Sequence, residues 1–185
     1  MSVSEVNFER QVQTLVCNDP VRWPLLALVR DLGVADAWIG AGFVRNAVWD
    51  HLHGRAMTAP QGDVDVLWFD PARMDRAEDL RLEAQLQAWA PEVLWSVKNQ
   101  ARMHLRHGQA PYASTGDAMR YWAEVATAVA VRRTADDQCE VLAPLGLDDL
   151  FGLRLRSTPG KAEAMAARAR EKGWLQRWPR LRLLG

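Results

Sequence analysis

Trp38-Ile39-Gly40-Ala41-Gly42-Phe43-Val44-Arg45-Asn46-Ala47-Val48-Trp49-Asp50, followed one helix later by Gly62-Asp63-Val64-Asp65-Val66-Leu67-Trp68-Phe69-Asp70, is the stretch that decides the fold. It reads as a short apolar strand, a small-residue turn, a helix, and a second apolar strand that opens on two aspartates. Within a strand over 63–69, Asp63 and Asp65 stand at i and i+2, so both carboxylates leave one face with their Cα atoms about 6.5–7 Å apart. That spacing suits one hard cation, or a pair of cations about 4 Å apart. Without a counter-ion the two charges repel and one pKa rises. A lone Asp-x-Asp has a plainer reading, a solvated strand entry.

Gly40, Ala41 and Gly42 add weight to the first reading. Two glycines around a single methyl group let backbone N–H groups approach a ligand, and the helix that follows aims its N-terminal donors at an anion. By itself this could be a tight strand-to-helix turn. Coupled to Asp-Val-Asp one helix later, it is the pattern of a metal and phosphate site. Arg45 falls in the first or second turn of that helix, where a cation is unfavourable unless it meets a carboxylate or a substrate phosphate. A surface arginine is the alternative.

Outward from this stretch, Phe8, Val12, Leu15 and Val16 predict an amphipathic helix over 4–17 with Ser4 as its cap. Asp19-Pro20 starts a second helix, which ends at Gly33. Leu82, Leu86 and Trp89 predict a helix over 75–89, and Val93 to Val97 reads as a strand. Lys98-Asn99-Gln100-Ala101-Arg102-Met103-His104 is dense in long polar side chains. Lys98, Arg102 and His104 suit phosphates or a base edge, and Asn99 and Gln100 can donate or accept; a solvated helix face would look the same. Ser114 caps a short helix. Val125, Thr127, Val129 and Val131 alternate as a strand, Asp136-Asp137 turns, and Cys139 to Ala143 returns. Glu140 is a carboxylate inside an apolar strand, on the face opposite Cys139 and Val141. It is either a third carboxylate facing Asp63 and Asp65 or an edge glutamate facing solvent.

With 185 residues, one domain is the default, and 49% hydrophobic with 25% charged residues excludes a disordered chain. Cys17 and Cys139 are too few for a disulfide framework and read as small core residues of a reduced, cytoplasmic protein. The start of the chain has no signal-peptide pattern, and no stretch approaches the roughly 18 apolar residues of a membrane span. Net charge is zero, yet residues 154–185 carry nine basic residues against Glu163 and Glu171. Such a tail either contacts nucleic acid or polyphosphate or docks on an acidic body; Trp174, Leu175 and Trp178 are expected to pin it there.

The glycine turn, Asp63-Val64-Asp65 and a later acidic residue resemble the nucleotidyltransferase superfamily with the DNA polymerase beta type palm. More narrowly, Ala41 to Asp50, Val97 to His104 and Ala143 to Leu150 resemble a family of small bacterial nucleotidyltransferase-like proteins. Phe43-Val44-Arg45-Asn46 is also similar to the head domain of tRNA CCA-adding enzymes and poly(A) polymerases. Ala41 intervenes where those enzymes show Gly-Gly or Gly-Ser, and Asn46 stands where they tend to have aspartate. The resemblance implies an α+β nucleotidyltransferase fold, a mixed central sheet flanked by helices. It divides the chain into N-terminal helices (1–33), a palm-like core (34–153) and a basic helical tail (154–185). It also implies Mg²⁺- or Mn²⁺-dependent transfer of a nucleoside monophosphate from an NTP to a hydroxyl of a small molecule, protein or RNA. Asp63, Asp65 and Glu140 would be the catalytic metal ligands, and Gly40, Gly42, Arg45, Lys98 and Arg102 would bind the nucleotide. The rival is a nucleotide- or partner-binding module on the same fold.

Overall fold

A computed structural model describes residues 3–184. Helix α1 (Val3–Cys17) begins one residue before Ser4, whose side chain lies outside the described residues. Asp19 then caps the next turn, accepting from the backbone N–H groups of Val21 and Arg22 at 2.9 Å each, and α2 (Arg22–Asp31) follows. Strand β1 (Trp38–Gly40) leads through Ala41 into α3 (Gly42–Leu52), and β2 (Val64–Trp68) starts one residue after Asp63. Asp75 caps α4 (Arg76–Trp89), which buries Leu82 and Leu86 but leaves Trp89 exposed, contrary to the expected face.

Strand β3 (Trp95–Asn99) runs two residues later than expected and includes Lys98. Its parallel register with β2, from Val64↔Trp95 to Trp68↔Asn99, carries the pairing through the polar pair. Asn99 is tolerated there because its amide donates to the carbonyls of Asp70 and Arg73, both at 2.8 Å. Short helices α5 (Met103–His107) and α6 (Thr115–Met119) follow. The expected strand over 125–132 is instead a 3-10 turn at Val125–Thr127 and then β4 (Ala130–Arg133). Alternation of small and β-branched residues does not distinguish the two, and local bonds such as Thr127 N–H to Glu124 C=O at 3.2 Å decide it.

Strand β5 (Cys139–Leu142) completes a sheet ordered β3-β2-β1-β4-β5, in which only β2 and β3 run parallel. This is the expected mixed sheet flanked by helices. Cys139 is buried but Cys17 is exposed, so only one of the two cysteines is a core residue. After α7 (Asp148–Phe151), β6 (Arg154–Arg156) forms a parallel pair, absent from the sequence reading, with β7 (Arg182–Leu184). Between them α8 (Ala162–Glu171) and α9 (Trp174–Arg177) pack the tail against the body. Trp174 and Trp178 are 2% and 1% exposed and meet Trp49 edge-on, and Trp178 Nε1 donates to Asp50 at 2.7 Å. Each such indole contributes at most about 4–6 kcal/mol of transfer free energy, which fixes the tail beside α3. Leu175 remains exposed.

Candidate functional site

The turn between β1 and α3 assigns its conformational burden unexpectedly. Positive φ falls on Ala41 (φ 54°, ψ −124°), and neither Gly40 nor Gly42 is left-handed. For a residue with a Cβ this backbone costs of order 1–3 kcal/mol, the kind of strain that marks ligand sites. The Ala41 N–H is held by the Val129 carbonyl at 3.0 Å. Gly40 is required by packing, since a Cβ there would sit 2.9 Å from Leu67 Cδ1 and 3.2 Å from the Val129 carbonyl. Gly42 leaves open the approach to Arg45, whose Nη2 would lie 3.6 Å from an added Cβ. The N-cap residue Ala41 makes no side-chain cap, and among the described residues the first N–H groups of α3 and its positive end are available to an anion.

Arg45 is buried at 5% exposure, not on the surface. Its Nη1 donates to Thr127 Oγ1 at 2.8 Å, Nε and Nη2 donate to Asn46 Oδ1 at 3.2 and 3.0 Å, and its guanidinium lies over Trp174 and Trp49. Among the described residues no carboxylate pairs with it directly. Burial pulls its pKa down to about 10, opposed chiefly by the charge of Glu124, so it remains a cation at neutral pH. A buried cation short of a counter-ion beside an uncapped helix end is suited to phosphate.

Asp63 and Asp65 line one cavity of about 240 Å³ together with Gly42, Arg45, Arg168, Lys172 and Arg177. Asp63 is exposed; Asp65 is half-buried, with Lys98 Nζ 3.3 Å from its Oδ1. Burial raises the Asp65 pKa and the neighbouring Asp63 charge adds to the effect, while Lys98 opposes both. The strand placement of Lys98 explains this contact, because Lys98 leaves β3 on the face from which Asp65 leaves β2.

A second cavity, of about 470 Å³, shares Ala41, Asp65 and Arg168 with the first and continues past Lys98, Glu124 and Thr127. Glu124 is 1% exposed and accepts from Arg168 Nε at 2.7 Å. Thr158 bonds to the carbonyls of Trp122 and Ala123, so the tail fixes the segment that carries Glu124. Glu124, Thr127 and Arg168 were all passed over as site residues by sequence. Glu124 does leave a trace as the sole acidic residue between Asp117 and Asp136; Arg168 is indistinguishable from its basic neighbours.

Two expected site residues lie elsewhere. Glu140 pairs with Arg132 across β4 and β5, at 2.6 Å from its Nε. Three strand steps separate β5 from β2, roughly 14 Å at the usual spacing, so Glu140 is not brought to the aspartates. Arg102 pairs with buried Asp79 and donates to the Met74 carbonyl at 3.2 Å. Asp79 also accepts from Trp68 Nε1 and the Asn99 N–H, so this cluster ties α4 to β2 and β3 and lines neither cavity. Among the described residues, no three His, Cys, Asp or Glu side chains converge on a metal position. Two hard carboxylates still fit Mg²⁺, which takes one or two protein carboxylates and completes its shell with water and substrate phosphates.

The tail is neither purely docked nor purely a binding surface. Arg154 and Arg156 pair with Asp149, and Arg177 with Asp50, while Arg168, Lys172 and Arg177 also face the first cavity.

A solved NMR structure described as revealing a CCA-adding enzyme head domain is similar to this chain at 32% identity and a TM-score of 0.81, covering 95% of each chain. Two structures of a tRNA-processing enzyme, in apo form 2 and apo form I, match with TM-scores of 0.54 and 0.53 at 18% and 17% identity. They share the fold, and the matches span 44% and 45% of their chains. No curated protein matches the chain in sequence. Residues 27–183 match the model of a family described as nucleotidyltransferase. The chain belongs to this nucleotidyltransferase family.

Proposed function

We propose that the protein transfers a nucleoside monophosphate from an NTP to an acceptor hydroxyl, with Mg²⁺ or Mn²⁺ held by Asp63 and Asp65. The observation that carries this reading is the shared cavity, in which these two carboxylates face Arg45, Arg168, Lys172 and Arg177 beside the uncapped end of α3. A divalent ion bound there supplies charge neutralisation and activates the acceptor oxygen. The chain's own groups do the rest. The N–H groups at the start of α3 and the basic side chains hold the triphosphate, and burial of Arg45 keeps its charge little screened. Lys98 stands on the other side of Asp65, where it balances the carboxylate when the site is free and meets the phosphate or acceptor when it is filled. Glu124 is a further carboxylate on the wall of the adjoining cavity, where it holds Arg168 rather than a metal.

The acceptor is a small molecule, a protein side chain or an RNA end; the tRNA-processing neighbours favour RNA. With free thiols and no helix among the described residues long and apolar enough to cross a membrane, a cytoplasmic setting fits this chemistry. Purified protein incubated with Mg²⁺, each labelled NTP and cell extract should release pyrophosphate and label an acceptor. Binding of NTP without transfer to any acceptor would instead support a nucleotide-binding module. That second reading is favoured by the pairing of Glu140 with Arg132, which leaves no set of three carboxylates at a metal position among the described residues.

A further inference from the structure

Tyr121 lies just beyond α6 at the wall of the larger cavity. Its ring stacks on Tyr112 with centroids 5.0 Å apart and 25° between planes, and Tyr112 is itself buried with His104 edge-on at 6.1 Å. Tyr121 is 38% exposed, so an aromatic ring is held in a fixed plane while part of it faces the cavity. Leu67, Met103, Ala118 and Trp122 give apolar lining beside it, and the cations Arg106 and Lys161 line the same cavity. Gln100 adds a directional group: it is 3% exposed, its Nε2 donates to the Lys98 carbonyl at 3.1 Å, and its carbonyl oxygen accepts no hydrogen bond among the described residues.

A pre-stacked ring, an apolar slot and one buried amide form a site for a planar heterocycle with polar edges. Asp65, Glu124 and Arg168 also line this cavity, and Asp65 and Arg168 are walls of the basic cavity as well. A nucleotide with its triphosphate beside α3 therefore has a continuous course past Asp65 into the slot. Resting on the nucleotidyl-transfer reading above, we propose that Tyr121 is the stacking platform for the base of the incoming NTP, with Gln100 at the base edge.

The test compares the dissociation constants of a non-hydrolysable NTP analogue and of inorganic tripolyphosphate, each with Mg²⁺, for the wild-type chain, Tyr121→Ala and Tyr121→Phe. Loss of one base–aromatic stack weakens the NTP analogue by about tenfold or more in Tyr121→Ala, and Tyr121→Phe stays within about twofold of wild type. Tripolyphosphate binds all three proteins equally. Unchanged NTP affinity in Tyr121→Ala, with tripolyphosphate still bound, overturns the platform and leaves the transfer reading standing. Parallel loss of both ligands in the variant overturns it as well, and no binding of either ligand by the wild type removes both readings. In the wild-type chain, NMR contacts from the base protons are expected at the Tyr121 ring, and contacts confined to other residues also overturn the proposal.

Discussion

Replacing Arg168 with methionine would separate the tail's part in stability from its part in binding. The Glu124 side chain is 1% exposed, Arg168 Nε lies 2.7 Å from it, and the Arg168 side chain is 45% exposed. Removing one partner from a fully buried pair costs about 3–5 kcal/mol, because a charge is stranded out of water. Two features reduce that figure. Solvent already screens the exposed guanidinium, and Arg45 is near enough to attract Glu124 in its place. Arg168→Met should therefore destabilise the fold by about 2 kcal/mol, which in a chain of this size lowers Tm by about 4–8 °C. Glu124→Gln removes from buried Arg45 the charge that most favours its protonated form, and should cost a similar amount. The double variant should lose little more than Glu124→Gln alone, giving a coupling energy of about 2 kcal/mol. Urea unfolding of the four proteins followed by circular dichroism measures each corner of the cycle. Additive effects, with each single change under about 0.5 kcal/mol, would refute the buried-pair argument.

Asp63→Asn and Asp65→Asn should each lower pyrophosphate release by about two to three orders of magnitude, with circular dichroism unchanged for exposed Asp63→Asn; undiminished turnover in both would remove the metal-ligand assignment. The proposed cation requires ionised Asp65, whose pKa is raised by burial and by Asp63, so activity should be lost as pH falls through that raised value. Lys98→Met removes the charge that opposes the rise, and the acid limb of its pH–rate profile should move to higher pH; movement to lower pH would contradict the pairing. Gly40→Ala places a methyl 2.9 Å from Leu67 Cδ1 and 3.2 Å from the Val129 carbonyl, and should cost about 1–3 kcal/mol in urea unfolding. Gly42→Ala meets nothing nearer than 3.5 Å, so it should fold normally and weaken NTP binding instead.

How much of this was legible in the sequence depends on the range of the interactions involved. The strand, turn, helix and strand from Trp38 to Trp68 are set by local periodicity and small residues, and they appear where the sequence places them. Lys98 was legible as a cation but not as a strand residue, because its place is fixed by parallel pairing with β2 and by carbonyls that only the folded chain brings to Asn99. Alternation reports which face a side chain leaves, and Glu140 does leave the face shared by Arg132 and Trp38. It says nothing of strand order, and the order β3-β2-β1-β4-β5 carries Glu140 to the outer edge. The charge excess of the tail was equally ambiguous, since docking and phosphate binding both demand arginine. Arg168 pairs with Glu124 and also lines both cavities, so composition offered no way to tell a docking arginine from one at the site. Membership of the site is thus decided by which distant segment lies against α3, and that is settled by burial of Trp174 and Trp178 on Trp49 rather than by any pattern near the aspartates.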